Sequence, residues 1–569
     1  MYLKTLVKIP EIKGKITLKT KGSSVYVNYE YGREYDPERR FNIPKRVTIG
    51  KALKADLSMM QPNQNFLLHF PDAILPDTEV QAKRSSCLRV GAFIALRKIV
   101  EEYKLPEILG HYFEPKDRDL FVDLMLYSII TENNAGQYYP DYGYNHPLYT
   151  TGMKIYSDSK VSSFLKEVSI DQRVGFLNEW NENKDHREKI YISYDSTNKN
   201  CQAGDIRLAE YGHAKDDKGL PVINYSIAYD AGNREPLFYE EYAGSIVDVS
   251  QLQYMLGKAK GYGYKKVGFI LDRGYFSKEN IESMDSLGYD FVIMVKGMAP
   301  LVSRIVLENK GKFENDRDCN IRKYGVYGTT VKGRLYYSDE KDRYFHIYYN
   351  DSKKAAEHEQ IEVKIEKIAE YLRSQEGRIY EPGDRVKEYF ESFVDEKDGV
   401  FLFAREKKEV IEREIDLCGY FCIVTSQKMT AKEALELYKS RDASEKLFRG
   451  DKSYLGNKSM RVYTDESVSA KIFIEFVALI VRNRLYCLLK DENEKLSSRQ
   501  NYMDVPAALR ELEKIEMIRG LDNVYRLDHA ITSTQKTILG ALGIGEGHVK
   551  EQIKAFSERL NISEERQES

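Results

Sequence analysis

The sequence predicts a mixed α/β fold built in several units, and three observations carry that prediction. Five strand-like runs, KIYISYD, PVINYSIAYD, EPLFYEEYAG, KKVGFILD and YDFVIMVK, fall between residues 189 and 296, with a helical stretch from Val249 to Lys260 before the fourth. The first three follow one another closely, as hairpin neighbours do, whereas a helix separates the last two, as in a βαβ unit. At 569 residues, 42% of them hydrophobic, the chain is too long for one ordinary domain and apolar enough for several cores.

In chain order, residues 1–75 read as a basic, strand-rich unit with runs such as SSVYVNYEY. The first 60 residues hold 13 Lys and Arg against 6 Asp and Glu, a local excess that can grip phosphates although the whole chain is at −2. Residues 76–188 read as a helical region, for example RVGAFIALRKIVEEYKL, and residues 189–298 as the first part of the mixed-sheet core. Residues 299–418 are expected to form an α+β insertion: RLYYS, YFHIYYN and GVFLFARE look like strands and EQIEVKIEKIAEYLRS like a helix, too much structure for a loop. Residues 419–500 resume the core and residues 501–569 are helical, ending in a polar tail.

Several function classes are excluded. Cysteines 87, 201, 319, 418, 422 and 487 show no CxxC and no nearby His pair, so neither a zinc module nor a disulfide framework is indicated; Cys418 and Cys422, within LCGYFCIV, read as small packed hydrophobes in a reducing cytosol. No HExxH, Walker loop, GxGxxG or nucleophile elbow is present. The most apolar segment, Phe473 to Val481, is interrupted by Glu475 and followed by Arg482 and Arg484, which argues for a soluble protein without a membrane span.

The chemistry concentrates at three places. Asp195 closes the run KIYISYD and Asp272 closes KKVGFILD, which continues through a Gly turn and a Ser277 N-cap into a helix ending before Gly288. The carboxyl ends of strands in open α/β sheets are where ligands bind, and carboxylate oxygens suit a hard cation. The third place is YKSRDASEKLFRGDK. Thr430 and Glu433 form a capping box ahead of it, and at about 100° per residue Tyr438, Arg441 and Glu445 share one face of the predicted helix. Strand-ending aspartates also serve turns, and Lys/Glu-rich helices produce such patterns by chance. Together, however, three carboxylates from two strands and a later helix can hold two cations about 4 Å apart, the arrangement of phosphodiester chemistry.

The segments YDSTNK, LDRGYF and YKSRDASEKLFRGDK resemble the two aspartate segments and the glutamate segment of DDE transposases of the IS4 group, with its YREK signature, and most of all its IS1634-like branch. Supporting segments include EYGHAKDDKGLPVINYSIAYDAGNREPLFYEEYAG, KIFIEFVALIVRNRL and TSTQKTILGALGI, so the resemblance covers most of residues 1–545. It implies an RNase H-like core with Asp195, Asp272 and Glu445 as the catalytic, metal-binding triad, two Mg²⁺ ions (with Mn²⁺ also supporting activity), and Tyr438, Arg441 and Lys452 on phosphates near the transposon end. Lys452 lies past Gly450, expected to be a C-cap, so helical spacing does not aim it.

The resemblance further implies cut-and-paste transposition, with transposon-end inverted repeats and target DNA as partners, a homodimer in the synaptic complex, N-terminal DNA-binding units, and a cytoplasmic, nucleoid-associated place in a bacterium. An RNase H-like nuclease without strand transfer and a catalytically retired DNA-binding protein stand as alternatives. Members of the group can stack a flipped base on an aromatic residue of the insertion, often Trp; here the one Trp, Trp180, precedes the core, which leaves Tyr324 or Tyr327 as candidates. His213, Lys215 and Lys296 stand near core strands without a specific assignment.

Overall fold

A computed structural model describes the chain except residues 1, 4, 38–39, 55, 74–83, 185–187, 202, 204–205, 213–218, 296–299, 337–338, 340, 396, 451–454, 456–459 and 569, and the side chains of 444, 449 and 562–568. It divides into two compact units. One comprises the residues up to Arg173, 451–457 and those from Glu466 onward; the other comprises Val174–Gly450 and 458–465.

The first unit opens with a five-stranded antiparallel sheet whose long strands Ser24–Asp36 and Phe41–Ala52 pair along most of their length. Val7, Val27, Ile49, Ala52 and Met60 bury one side of it against Phe66. Helices follow, among them Gly91–Glu102, Pro115–Thr131 and the 31-residue Asp465–Lys495, whose apolar stretch runs through Glu475 and Arg482. Among the described residues no helix is long and apolar enough to cross a membrane.

The second unit is built on a nine-stranded mixed sheet. Its order is Asn320–Ile321, Val326–Gly333, Arg343–Tyr349, Tyr420–Thr425, Asp290–Met294, Val267–Leu271, Ile190–Asn200, Val222–Asp230, Glu235–Ala243. The last three are antiparallel hairpin neighbours, and the Val267–Leu271 strand is parallel to both Ile190–Asn200 and Asp290–Met294. Two of the predicted strand runs are covered on both faces: every residue of Val222–Asp230 and of Val267–Leu271 is buried.

Two sequence expectations are corrected here. Asp195 does not close its strand, which runs on to Asn200 because the Val222–Asp230 strand pairs with it through Asn200↔Val222; only the pairing with Val267–Leu271 stops, at Tyr194↔Leu271. Nor do residues 299–418 form one insertion. Val326–Gly333 and Arg343–Tyr349 continue the core sheet, the latter through a six-residue pairing with Tyr420–Thr425. Of the run RLYYS, Arg334, Leu335 and Tyr336 lie beyond the strand that ends at Gly333, and residues 337–338 lie outside the described residues. What stands apart from the sheet is residues 351–417, with helices Asp351–Ser374, Asp384–Tyr389 and Lys408–Leu417, the hairpin Phe390–Val394 and Phe401–Glu406, and a small core of Ile365, Leu372, Val386, Tyr389, Phe390, Phe401 and Ile411.

His346 shows how tightly the added strands belong to the sheet. Its ring is fully buried between Thr330 and Thr425 hydroxyls, at 2.9 and 3.0 Å. Because Thr425 donates its own proton to the Gln427 carbonyl, it can only accept from His346 Nε2–H, which leaves Nδ1 to accept from Thr330. The neutral ring is thus fully satisfied, and burial pushes its pKa down to about 4. In the unfolded chain the ring takes up a proton near its ordinary value of about 6.5, so between that value and 4 the unfolded state binds more protons and stability falls as pH falls. The thermal midpoint of this unit should drop over that window, by up to about 3 kcal/mol in stability. His346→Gln should flatten that part of the pH profile.

Candidate active site

Asp195 and Asp272 are brought together by strand register. Tyr194 and Leu271 are paired in parallel, so the next residue on each strand is an aspartate, at neighbouring positions about 5 Å apart across the sheet. Asp272 then caps a short turn, Arg273–Tyr275. Each aspartate folds one oxygen onto the following backbone amide: Ser196 N–H donates to Asp195 Oδ1 at 2.8 Å, and Arg273 N–H to Asp272 Oδ1 at 2.7 Å. Both Oδ2 atoms then face the same guanidinium nitrogen, Arg441 Nη1, at 3.8 Å each.

Arg441 comes from the predicted helical segment, which the structure breaks into two. Ala431–Lys439 starts at the expected Thr430–Glu433 capping box, and Asp442–Arg449 follows a bend at Ser440 and Arg441. The first helix seats Ala431, Leu435 and Tyr438 against Ile270, Val292, Tyr348 and Ile423 of the sheet. The second buries Leu447 and Phe448, the latter edge-on to Tyr225 at 6.3 Å. Between them Arg441 Nη2 donates to Glu445 Oε1 at 2.5 Å, and its guanidinium lies 5.6 Å from the Tyr438 ring. Tyr438 Oη donates to Asp272 Oδ1 at 3.3 Å. Gly450 has a right-handed φ of −57°, so it is not the left-handed cap expected from sequence.

One guanidinium therefore touches all three carboxylates. Burial works against its charge, but Tyr438, Asp272, Asp195 and Glu445 outweigh that and hold its pKa above the ordinary arginine value. Tyr438 is pushed up as well, first by burial and then, against the lowering effect of Arg441, by Asp272. The Arg441 side chain is only 13% exposed, while that of Glu445 is 50% exposed. Among the described residues no group of three or more His, Cys, Asp and Glu is close enough to hold a metal ion as the side chains stand. The donor set nevertheless suits a hard cation: three carboxylates converge on a position already taken by a positive charge.

Of the remaining sequence candidates, Lys452, His213, Lys215 and Lys296 lie outside the described residues. Trp180 is buried, donating to the Pro236 carbonyl at 3.0 Å with Lys184 over its ring, and Tyr324 packs against the sheet's core. Sequence reasoning missed Asp248, which accepts from Ser196 Oγ at 2.5 Å and Tyr242 Oη at 2.6 Å and so fixes the residue whose amide anchors Asp195. An acidic residue in a helix's first turn is too common to signal such a role. It also missed Lys199, buried four residues beyond Asp195 with its ammonium 4.8 Å from the Tyr225 ring.

A mixed sheet that sets two aspartates side by side and a helical glutamate within one arginine's reach has the form of a carboxylate-based nucleic-acid enzyme. The family model described as Transposase DDE domain matches residues 192–481, just over half of the chain and all three of these segments. The protein belongs to that family. Among solved structures, a piggyBac transposase synaptic complex with hairpin DNA aligns at 10% identity and a TM-score of 0.30, over 67% of this chain and 60% of that one. This chain thus spans less than two thirds of that protein, a likeness too slight to bear on fold or function. No curated protein matches.

Removing the shared cation should be felt without any ligand present. Arg441→Gln is expected to lower the stability of the metal-free protein by roughly 1.5–3 kcal/mol, the range for hydrogen bonds to charged groups, read as a fall in thermal midpoint in EDTA. Arg441→Lys should recover part of it.

Proposed function

We propose that this protein is a cut-and-paste DNA transposase of the IS4 group, near its IS1634-like branch, with an RNase H-like catalytic core. The observation that carries the reading is the convergence of Asp195, Asp272 and Glu445 on Arg441 at the edge of a mixed sheet. The sheet order supports the core assignment: a three-stranded hairpin series joined to two parallel strands, with the aspartates on adjacent parallel strands.

In this reading Asp195, Asp272 and Glu445 hold divalent metal, two Mg²⁺ ions, with Mn²⁺ also accepted. When bound, the metal supplies an activated oxygen nucleophile and neutralises the charge that builds on the transferring phosphoryl group. The residues of the chain do the rest. Asp195 and Asp272 are held in place through their Oδ1 atoms, which leaves their Oδ2 atoms for ligation. Arg441, once its carboxylates are shared with metal, is freed to grip a phosphate of the transposon end with its planar fork of donors. Tyr438 Oη, kept protonated, donates a hydrogen bond at the same edge, and Lys452 is proposed as a further phosphate contact. Water attacks phosphorus at the element's end, breaking the P–O3′ bond and releasing a 3′-hydroxyl. That hydroxyl then attacks a target phosphate, and a new P–O3′ bond forms as the target strand breaks. Two ends must be held together, which a homodimer of this chain would do on inverted repeats.

The test is excision from a plasmid carrying the inverted repeats that flank the gene. The native chain with Mg²⁺ should release the element and join it to target DNA; Glu445→Gln should bind the same ends and cut at least a hundredfold more slowly, since it loses one metal ligand while leaving the fold intact. Cutting without joining by the native chain would instead identify a nuclease, and equal loss of binding and cutting in Glu445→Gln would remove Glu445 from the catalytic set.

A further inference from the structure

The five-stranded sheet of the first unit has two unlike faces. One is the apolar face buried against Phe66. On the other, strand register assembles rows of polar side chains: Lys19, Tyr26, Lys51 and Gln61 stand directly across four successive strands, Thr17, Asn28 and Thr48 form the next row, and Lys21 with Ser24 lies on the other side. Lys8 joins the same face opposite Met59. Thr48 donates to Asn28 Oδ1 at 2.7 Å, and the Tyr2 ring lies 6.4 Å from that of Tyr26.

The charge on this face is one-sided. Lys8, Lys19 and Lys21 are exposed and Lys51 half-buried, and none forms an ion pair with a described residue. The one carboxylate of the face among the described residues, Glu30, is 5% exposed and held between two arginines, Arg33 at 2.7 Å and Arg46 at 3.2 Å, so it is more than matched. Beyond it, Glu34 pairs with Lys45. Four lysines and two arginines thus stand against a single buried acid, although the whole chain is nearly neutral.

We propose that this open face is a docking surface for the sugar–phosphate backbone of duplex DNA, centred on Lys19, Lys21 and Lys51. Charge complementarity chooses the occupant. Along a strand, alternate side chains lie about 7 Å apart, and across two strands about 10 Å, so the lysines form a lattice wide enough to meet several phosphates of a duplex that carries one charge per about 1.7 Å of axis. Tyr26, Asn28 and Thr48 between them are the uncharged donors that commonly position a backbone without reading bases. The choice of DNA over another polyanion rests on the transposase reading; the surface itself does not.

Fluorescence anisotropy of the full chain with a labelled DNA duplex, from 50 to 200 mM salt, tests it. The triple substitution Lys19→Gln, Lys21→Gln, Lys51→Gln should weaken binding and flatten the slope of log K against log salt by about 2.7, near 0.9 for each phosphate no longer neutralised. Lys19→Arg, Lys21→Arg, Lys51→Arg should keep the native slope. A control of equal charge change in the segment outside the sheet, Lys367→Gln, Lys387→Gln, Lys397→Gln, should leave it unchanged. An unaltered slope in the sheet variant, or an equal fall in the control, would overturn the surface. A flattened slope on an RNA duplex with none on DNA would overturn the occupant. Failure of the catalytic reading looks different: excision by no variant, with the slope difference still present.

Discussion

The site depends on one constraint: three carboxylates cannot be gathered in a partly dry place without a cation among them. Arg441 is that cation, and its placement follows from two pieces of backbone geometry. Parallel pairing that stops at Tyr194↔Leu271 delivers two aspartates side by side, and the bend at Ser440 and Arg441 turns a guanidinium toward both while keeping Glu445 one turn away. The backbone amides after each aspartate hold the Oδ1 atoms and leave the Oδ2 atoms for the cation. In the proposed function a divalent ion held here would compete with Arg441 for oxygens that already have a partner.

How much of this was legible in the sequence follows from how local each signal is. The capping box at Thr430, the Ser277 cap and the helical phase that aligns Arg441 with Glu445 are set within a few residues, and all appear as read. The continuation of the Asp195 strand to Asn200 was not legible, because its partner starts more than twenty residues further along the chain and the residues Ser196 to Asn200 are polar. The membership of Arg343–Tyr349 in the core sheet was hidden for the same reason: its pairing with Tyr420–Thr425 spans more than seventy residues of chain. The neighbouring strand, VYGTTVKG, has β-branched or aromatic residues at five of its eight positions but is interrupted by two glycines, and tertiary pairing imposes what the local sequence only permits.

The buried polar groups around the site make a related point. Asp248, Ser196 and Tyr242 are ordinary residues taken singly, and their value lies in a chain of hydrogen bonds ending at the amide that holds Asp195. Arg343 is fully buried in the added strand, yet it pairs with both Asp285 and Asp339, so the strand that looked like part of an insertion is fastened to the helix following Asp272. Such networks are costly unless complete, which is why they specify one arrangement of the sheet rather than merely adding to its stability.

The same electrostatics bear on how a polyanion could approach. Taken alone the candidate site is negative, three carboxylates against one guanidinium, so before metal arrives it repels the phosphate backbone it is proposed to cut. Affinity for DNA must then come from elsewhere in the chain and be in place first. A total charge of −2 does not forbid that, since screening limits each charge to neighbours within about 10 Å and what counts is local excess. The proposed division of labour, an acidic site that needs metal and a separate basic face that does not, makes holding DNA and cutting it separable. In the proposed reading, where two ends are held before either is broken, that separation has a use.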